Sequence, residues 1–154
     1  MKQHPLLMKY IITALVTLAG FGCDQRARST DIYIPGQYIG WVVIIYTGGP
    51  NQKADHELIS VGDSGVVWVK QGLRYGECKI NYYDIDSDKK TRQIYSNHTT
   101  PNSNRSIYSE GTGVLEENGK KLHFLSLFVG SDTNWDSAQS KGDFIYRALE
   151  KGPE

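Results

Sequence analysis

The sequence predicts a mainly β protein: an antiparallel β-sandwich or open barrel that ends in a short helical segment. Two observations lead there. Runs of β-branched and aromatic residues recur along the chain, and such side chains fit a pleated surface better than a helical turn. Clusters of Gly, Pro, Asn, Asp and Ser separate those runs, giving six to nine short strands with hairpin signals between them. Only the last segment departs from the two-residue period of strands.

The chain opens on a processing signal. Lys2 and Lys9 form a basic region, Tyr10 to Gly22 is apolar and small, and Cys23 follows directly. The apolar core, Ile11 to Phe21, is eleven residues long, well short of the ~20 that a spanning helix needs. Residues 1–22 therefore read as a secretory signal, residues 23–30 as a polar tether and residues 31–154 as one β-rich domain. Removal of the leader leaves fifteen basic against seventeen acidic residues, a net charge of −2. That is not the clustered basic footprint of a nucleic-acid binder. Arg26 and Arg28 lie just beyond Cys23, where they serve equally as a solvated tether or as contacts to anionic head groups.

A leader that ends at a cysteine resembles a bacterial lipoprotein signal. The resemblance implies cleavage before Cys23, lipid on its thiol, and an exported protein held at the periplasmic face or the cell surface. Ordinary cleavage after Gly22 also fits, since Gly20-x-Gly22 is a small-x-small site. In that case Cys23 keeps its thiol, and it could pair with Cys78, the one other cysteine of the chain. If Cys23 is lipidated, Cys78 reads as a small buried hydrophobe.

Asp31 to Ile34 is a brief strand before the Pro35-Gly36 corner. Next comes the most strand-like stretch, Gly40 to Tyr46. Trp41, Val43 and Ile45 share one face, and Val42, Ile44 and Tyr46 share the other. Both rows are apolar, which places this strand at a sheet centre covered on both sides. His56 to Val61 and Val66 to Val69 flank Gly62-Asp63-Ser64-Gly65 and read as a hairpin. Cys78, Ile80 and Tyr82 alternate with Lys79 and Asn81, so that strand has one wet face. Thr91 to Tyr95 pairs back across the Asp86 to Lys90 turn.

Ser96 to Gly113 is rich in Ser, Asn, Thr, Pro and Gly and reads as one long loop. Val114-Leu115 and Leu122 to Val129 flank an Asn118-Gly119 pair, a strong hairpin signal. Leu122, Phe124, Ser126 and Phe128 face one way, and His123, Leu125, Leu127 and Val129 the other. Asp132 is placed to cap a helical turn over Thr133 to Gln139, and Asp143 to cap Phe144 to Lys151. Phe144-Ile145-Tyr146 suits a strand as well as a helix.

The stretch Ile34-Pro35-x-x-Tyr38-x-Gly40-Trp41-Val42-x-Ile44, with Phe128-Val129-Gly130-Ser131 leading into the terminal segment, resembles the hallmarks of an uncharacterised family of bacterial exported proteins. That family implies no activity, cofactor or catalytic residue to expect here.

The residues themselves supply no catalytic constellation. Asp84-x-Asp86-x-Asp88 starts like a calcium loop, but Lys89 replaces the turn glycine and Tyr95 the closing Glu, so it reads as a solvated turn. His56, His98 and His123 lack metal spacing, and no serine sits in a Gly-x-Ser-x-Gly elbow. No metal or cofactor is expected. Tyr82 and Tyr83 point to opposite faces, while Tyr95, Tyr108 and Trp135 fall on or near loops. Exposed rings on a sandwich stack on sugars or anchor a partner, so these five are the candidate binding residues. The expected function is a lipid-anchored, non-catalytic binding module with an envelope protein or glycan as partner. An envelope enzyme acting on glycan or peptide, or a purely structural lipoprotein, are the alternatives.

Overall fold

The computed structural model describes residues 29–49, 56–73, 79–96, 98–99, 104–117, 119–138 and 141–152. Cys23 and Cys78 lie outside them. The described elements run β1 (Ser29–Pro35), β2 (Gly40–Tyr46), β3 (His56–Ser60), β4 (Val66–Val69), β5 (Lys79–Ile85), β6 (Thr91–Ile94), β7 (Ser106–Glu117), β8 (Lys120–Gly130), α1 (Asp132–Asp136) and α2 (Lys141–Lys151). The strands form two four-stranded sheets, sheet A in the order β3-β1-β5-β6 and sheet B in the order β4-β2-β8-β7. The expected two-sheet, sandwich-like β architecture with a C-terminal helix is present.

Three ladders are parallel rather than antiparallel: β1 with β3, β1 with β5, and β2 with β4. Parallel neighbours need a crossover, and here the return leg runs in the opposite sheet. β2 lies between β1 and β3 in sequence but belongs to sheet B. For the same reason the expected hairpin of β3 with β4 does not form. Gly62 to Gly65 carries the chain from one sheet to the other, with Gly65 N donating to Gly62 O at 3.1 Å. Two hairpins do form, β5 with β6 and β7 with β8.

The main core lies between the sheets. Ile32 and Ile34 of β1, with Tyr82 and Ile94, meet Val42 and Ile44 of β2 and Leu125, Leu127 and Val129 of β8. The other face of β2 is equally buried. Val43 and Ile45 pack with Phe124 under Ile145 of α2, and Trp41 and Phe128 pack with Tyr108 against Trp135 of α1. The two-sided burial of β2 and the two-faced reading of β8 are thus observed, and α1 and α2 both cover sheet B.

The 96–113 stretch is not one loop. β7 starts at Ser106, and Ser106, Ile107 and Tyr108 are buried. A bulge between Tyr108 and Gly111, with Ser109 at φ 48°, breaks the alternation, which hides the strand from a period-two reading. At the helices the caps differ from expectation. Ser131, not Asp132, caps α1, through a capping box with Asn134. Asp132 instead accepts a hydrogen bond from Tyr108 Oη at 2.6 Å. Asp143 sits in the first turn of α2, which starts at Lys141. The segment is helical because Ile145 and Ala148 recur on the buried side, while Tyr146 points to solvent.

Candidate functional site

Sheet A is open on the side away from the core: among the described residues no helix lies over it. Since Ile32, Ile34 and Tyr82 face inward, alternation turns Asp31, Tyr33 and Pro35 of β1 and Asn81, Tyr83 and Ile85 of β5 outward. Register then builds rows across the face. Ser60, Tyr33, Tyr83 and Gln93 form one row, and Leu58, Asp31 and Asn81 the next. Continuing the β5–β6 register by one residue sets Tyr95 opposite Asn81.

Tyr33 and Tyr83 stack, with ring centroids 5.3 Å apart and planes 22° apart. Partial desolvation raises the pKa of Tyr83 above 10.0, with further contributions from the charges of Asp31, Tyr33 and Tyr95. Leu58 is 63% exposed and Tyr95 50% exposed, large side chains that no described element covers. Between the aromatics the polar groups are paired within the face. Asn81 Nδ2 donates to Asp31 Oδ1 at 2.7 Å. His56 shares a hydrogen bond with Ser29 Oγ at 2.8 Å and lies 3.7 Å from Asp31 Oδ2.

At the end of the face formed by the β1 and β5 C-termini lies a groove of about 260 Å³, lined by Tyr33, Pro35, Gln37, Ser60, Ile85 and Asp86 among others. The Pro35 to Gly40 corner beside it is fixed from within. Arg105 donates from Nη2 to Pro35 O at 2.9 Å and from Nη1 to Tyr38 O, and its Nε binds Asp84 Oδ1 at 2.6 Å. Tyr38 Oη in turn donates to Trp41 O. Gly65, at φ +72°, lies against that hydroxyl, and a side chain there would meet both the strain of a left-handed backbone and the ring. The Pro35 to Gly40 corner is therefore clamped between the sheets.

Of the five aromatics expected from sequence, Tyr83 and Tyr95 share this face. Tyr82 is buried in the main core. Tyr108, 3% exposed, lies on β7 rather than a loop, and it stacks on Trp135 at 5.7 Å in the cluster under α1. These three rings do not gather at the open face. Sequence reading missed Tyr33 and Leu58, whose outward places follow only once β1 and β3 are paired. It also missed Asp84 as a buried ion partner. Asp84 leaves the expected solvated turn and binds Arg105 and Arg92, while Asp86 and Asp88 stay exposed. Among the described residues no three His, Cys, Asp or Glu side chains gather in a metal-binding arrangement.

The fold has a counterpart in a 2.75 Å crystal structure of a candidate lipoprotein from Bacillus anthracis, with a TM-score of 0.54 at 18% identity. The match covers 82% of this chain and 97% of the other. No curated protein matches in sequence. Residues 27–138 match a family of unknown function, and the chain belongs to that family, DUF6843.

Proposed function

We propose that this chain is an exported, lipid-anchored and non-catalytic interaction module of the bacterial cell envelope. Cys23 holds it to a membrane, and the open face of sheet A meets an envelope protein or glycan. The carrying observation is the contrast between the sheets. Sheet B is covered by α1 and α2, whereas sheet A leaves Leu58 and Tyr95 exposed beside the stacked Tyr33 and Tyr83. Exposed apolar and aromatic side chains grouped on one surface mark interaction sites more often than chance.

The anchor rests on the leader that ends at Cys23, and the likeness to a candidate lipoprotein agrees with it. No helix among the described residues is long and apolar enough to cross a membrane. A short lipid-bearing tether in front of a β domain needs none.

Two measurements test the proposal. Wild-type protein should partition with membranes and carry lipid mass at Cys23, and Cys23→Ser should move to the soluble fraction. A photo-crosslinker placed at Leu58 in living cells should form adducts, whereas one at Tyr146, exposed on α2, should not. An unmodified Cys23 rejects the anchor, and adducts from Tyr146 alone reject the face.

A further inference from the structure

We infer that the groove beside Tyr33 is a subsite for an uncharged, hydroxyl-rich glycan. This inference rests on the reading of sheet A as the interaction face and names the chemistry of its partner.

The first argument is position. Ser29 follows Cys23 by six residues, a reach of at most ~20 Å. β1 then runs seven residues to Pro35, a further ~20 Å. The groove lies at that far end, beside Pro35 and Gln37, one strand length further along the chain from the anchor than Ser29.

The second argument is chemistry. A sugar ring offers a C–H face that packs on apolar and aromatic surface, and hydroxyls that both donate and accept. The groove supplies both kinds of partner. Tyr33, Pro35 and Ile85 give the apolar wall. The Gln37 amide, the Asp86 carboxylate and the Ser60 hydroxyl give exposed donors and acceptors.

The third argument is charge. Among the described residues of the lining, Asp86 is the one charged group, and no Lys or Arg joins it. A polyanion would meet that carboxylate unopposed and would be disfavoured, while a single exposed carboxylate is a weak anchor for a cation. A peptide added as an extra strand needs a free sheet edge; β1 and β5 are each paired on both sides, and the edge strand β3 contributes only its last residue, Ser60, to the groove.

The Pro35-Gly36 corner ties this site to the sequence. Asp86 Oδ1 lies 2.7 Å from the place a Cβ of residue 36 would take. The absent side chain is what lets the carboxylate rest at the groove. Gly36→Ala should therefore displace Asp86, at the free end of a flexible side chain, and leave Tyr33 and its stack in place.

The test is a calorimetric titration of the full-length protein, kept in a detergent with no sugar head group. The probes are cellohexaose, maltohexaose and chitohexaose, with polygalacturonate as the anionic comparison. At least one neutral hexasaccharide should bind. Asp86→Ala and Gly36→Ala should each weaken it five-fold or more without moving the melting temperature, and Tyr33→Ala should weaken it further. Because Tyr33→Ala removes a stacked ring and can loosen the sheet, the assignment stands or falls on Gly36→Ala and Asp86→Ala. No binding by any neutral probe, equal binding by both variants, or tighter binding of polygalacturonate would each overturn it. If the glycans fail while a crosslinker at Leu58 still captures an envelope protein, the glycan assignment falls and the interaction module stands. If Leu58 captures nothing as well, both fall.

Discussion

Arg105 ties β5 to the Pro35 to Gly40 corner through a single side chain. Its side chain is 11% exposed and binds the Asp84 side chain, 3% exposed, while reaching the carbonyls of Pro35 and Tyr38. Arg92 binds the other oxygen of Asp84 at 3.0 Å but is 77% exposed. The two pairs should therefore differ in strength. Arg105→Ala leaves the buried carboxylate to the exposed Arg92 alone and frees the carbonyls of Pro35 and Tyr38, and should cost about 3 kcal/mol, whereas Arg92→Ala, an exposed partner, should cost about 1 kcal/mol or less. Urea titration of the two variants measures the difference, and equal losses would contradict this account. Arg105→Lys should recover only part of the loss. A lysine keeps the charge but lacks the planar fork that reaches three acceptors at once.

At the scale of elements, β2 organises the sandwich, because sheet and helices bury its two faces at once. Val43 is fully buried, on the side covered by α2. Val43→Asp places an unpaired carboxylate there, at a cost of several kcal/mol against a domain stability of ~5–15 kcal/mol. Loss of cooperative melting is expected, and a melting temperature within a few degrees of wild type would refute the assignment. The 97–106 segment behaves differently from a dispensable loop. Its length matters little, since loop closure changes by only ~0.6 kcal/mol per doubling. But the segment ends in Arg105 and in Ser106, a buried residue of β7. Replacement of 97–106 with a Gly-Ser bridge should collapse the melting transition, while replacement of 97–103 alone should preserve it.

For the whole molecule, two hydroxyls set an alkaline limit: Tyr38, which ties the Pro35 to Gly40 corner to β2, and Tyr108, which ties β7 to α1. Burial pushes Tyr38 up to about 12. Tyr108 is likewise raised to about 12, by burial first and then by its hydrogen bond to Asp132 and that group's charge. A tyrosine whose folded pKa lies above its unfolded value of about 10 gives its full stabilisation below pH 10. Above that the unfolded chain releases the proton more readily, so stability falls as pH rises from 10 to 12. A Tyr38→Phe/Tyr108→Phe double variant should be less stable at pH 8 by about 2 kcal/mol, the loss of two hydrogen bonds. Its stability should decline less steeply between pH 10 and 12, so the two curves converge. Denaturant midpoints across that range give the answer, and parallel curves would show that these hydroxyls do not set the limit.

Several features were legible in the residues alone because their causes are local. β-Branched and aromatic runs specify strands, two apolar rows on Gly40 to Tyr46 specify a strand covered on both faces, and Asn118-Gly119 specifies a hairpin. The pattern also carried the two faces of β8 and, in the last segment's departure from the two-residue period, the terminal helical segment. Other features were decided only by pairing between distant segments. Which sheet each strand joins, and hence the parallel ladders, depends on partners that local periodicity does not contain. The start of β7 was hidden because a bulge interrupts the alternation that would announce it. Arg105 lies 70 residues from Pro35 in sequence, and no local signal links a loop arginine to a carbonyl that far away. The same holds for the open face. Tyr83 and Tyr95 could be named from sequence as candidate surface rings, but only the β1–β5 register brings Tyr33 onto Tyr83, and only the placement of both helices on sheet B leaves that pair uncovered.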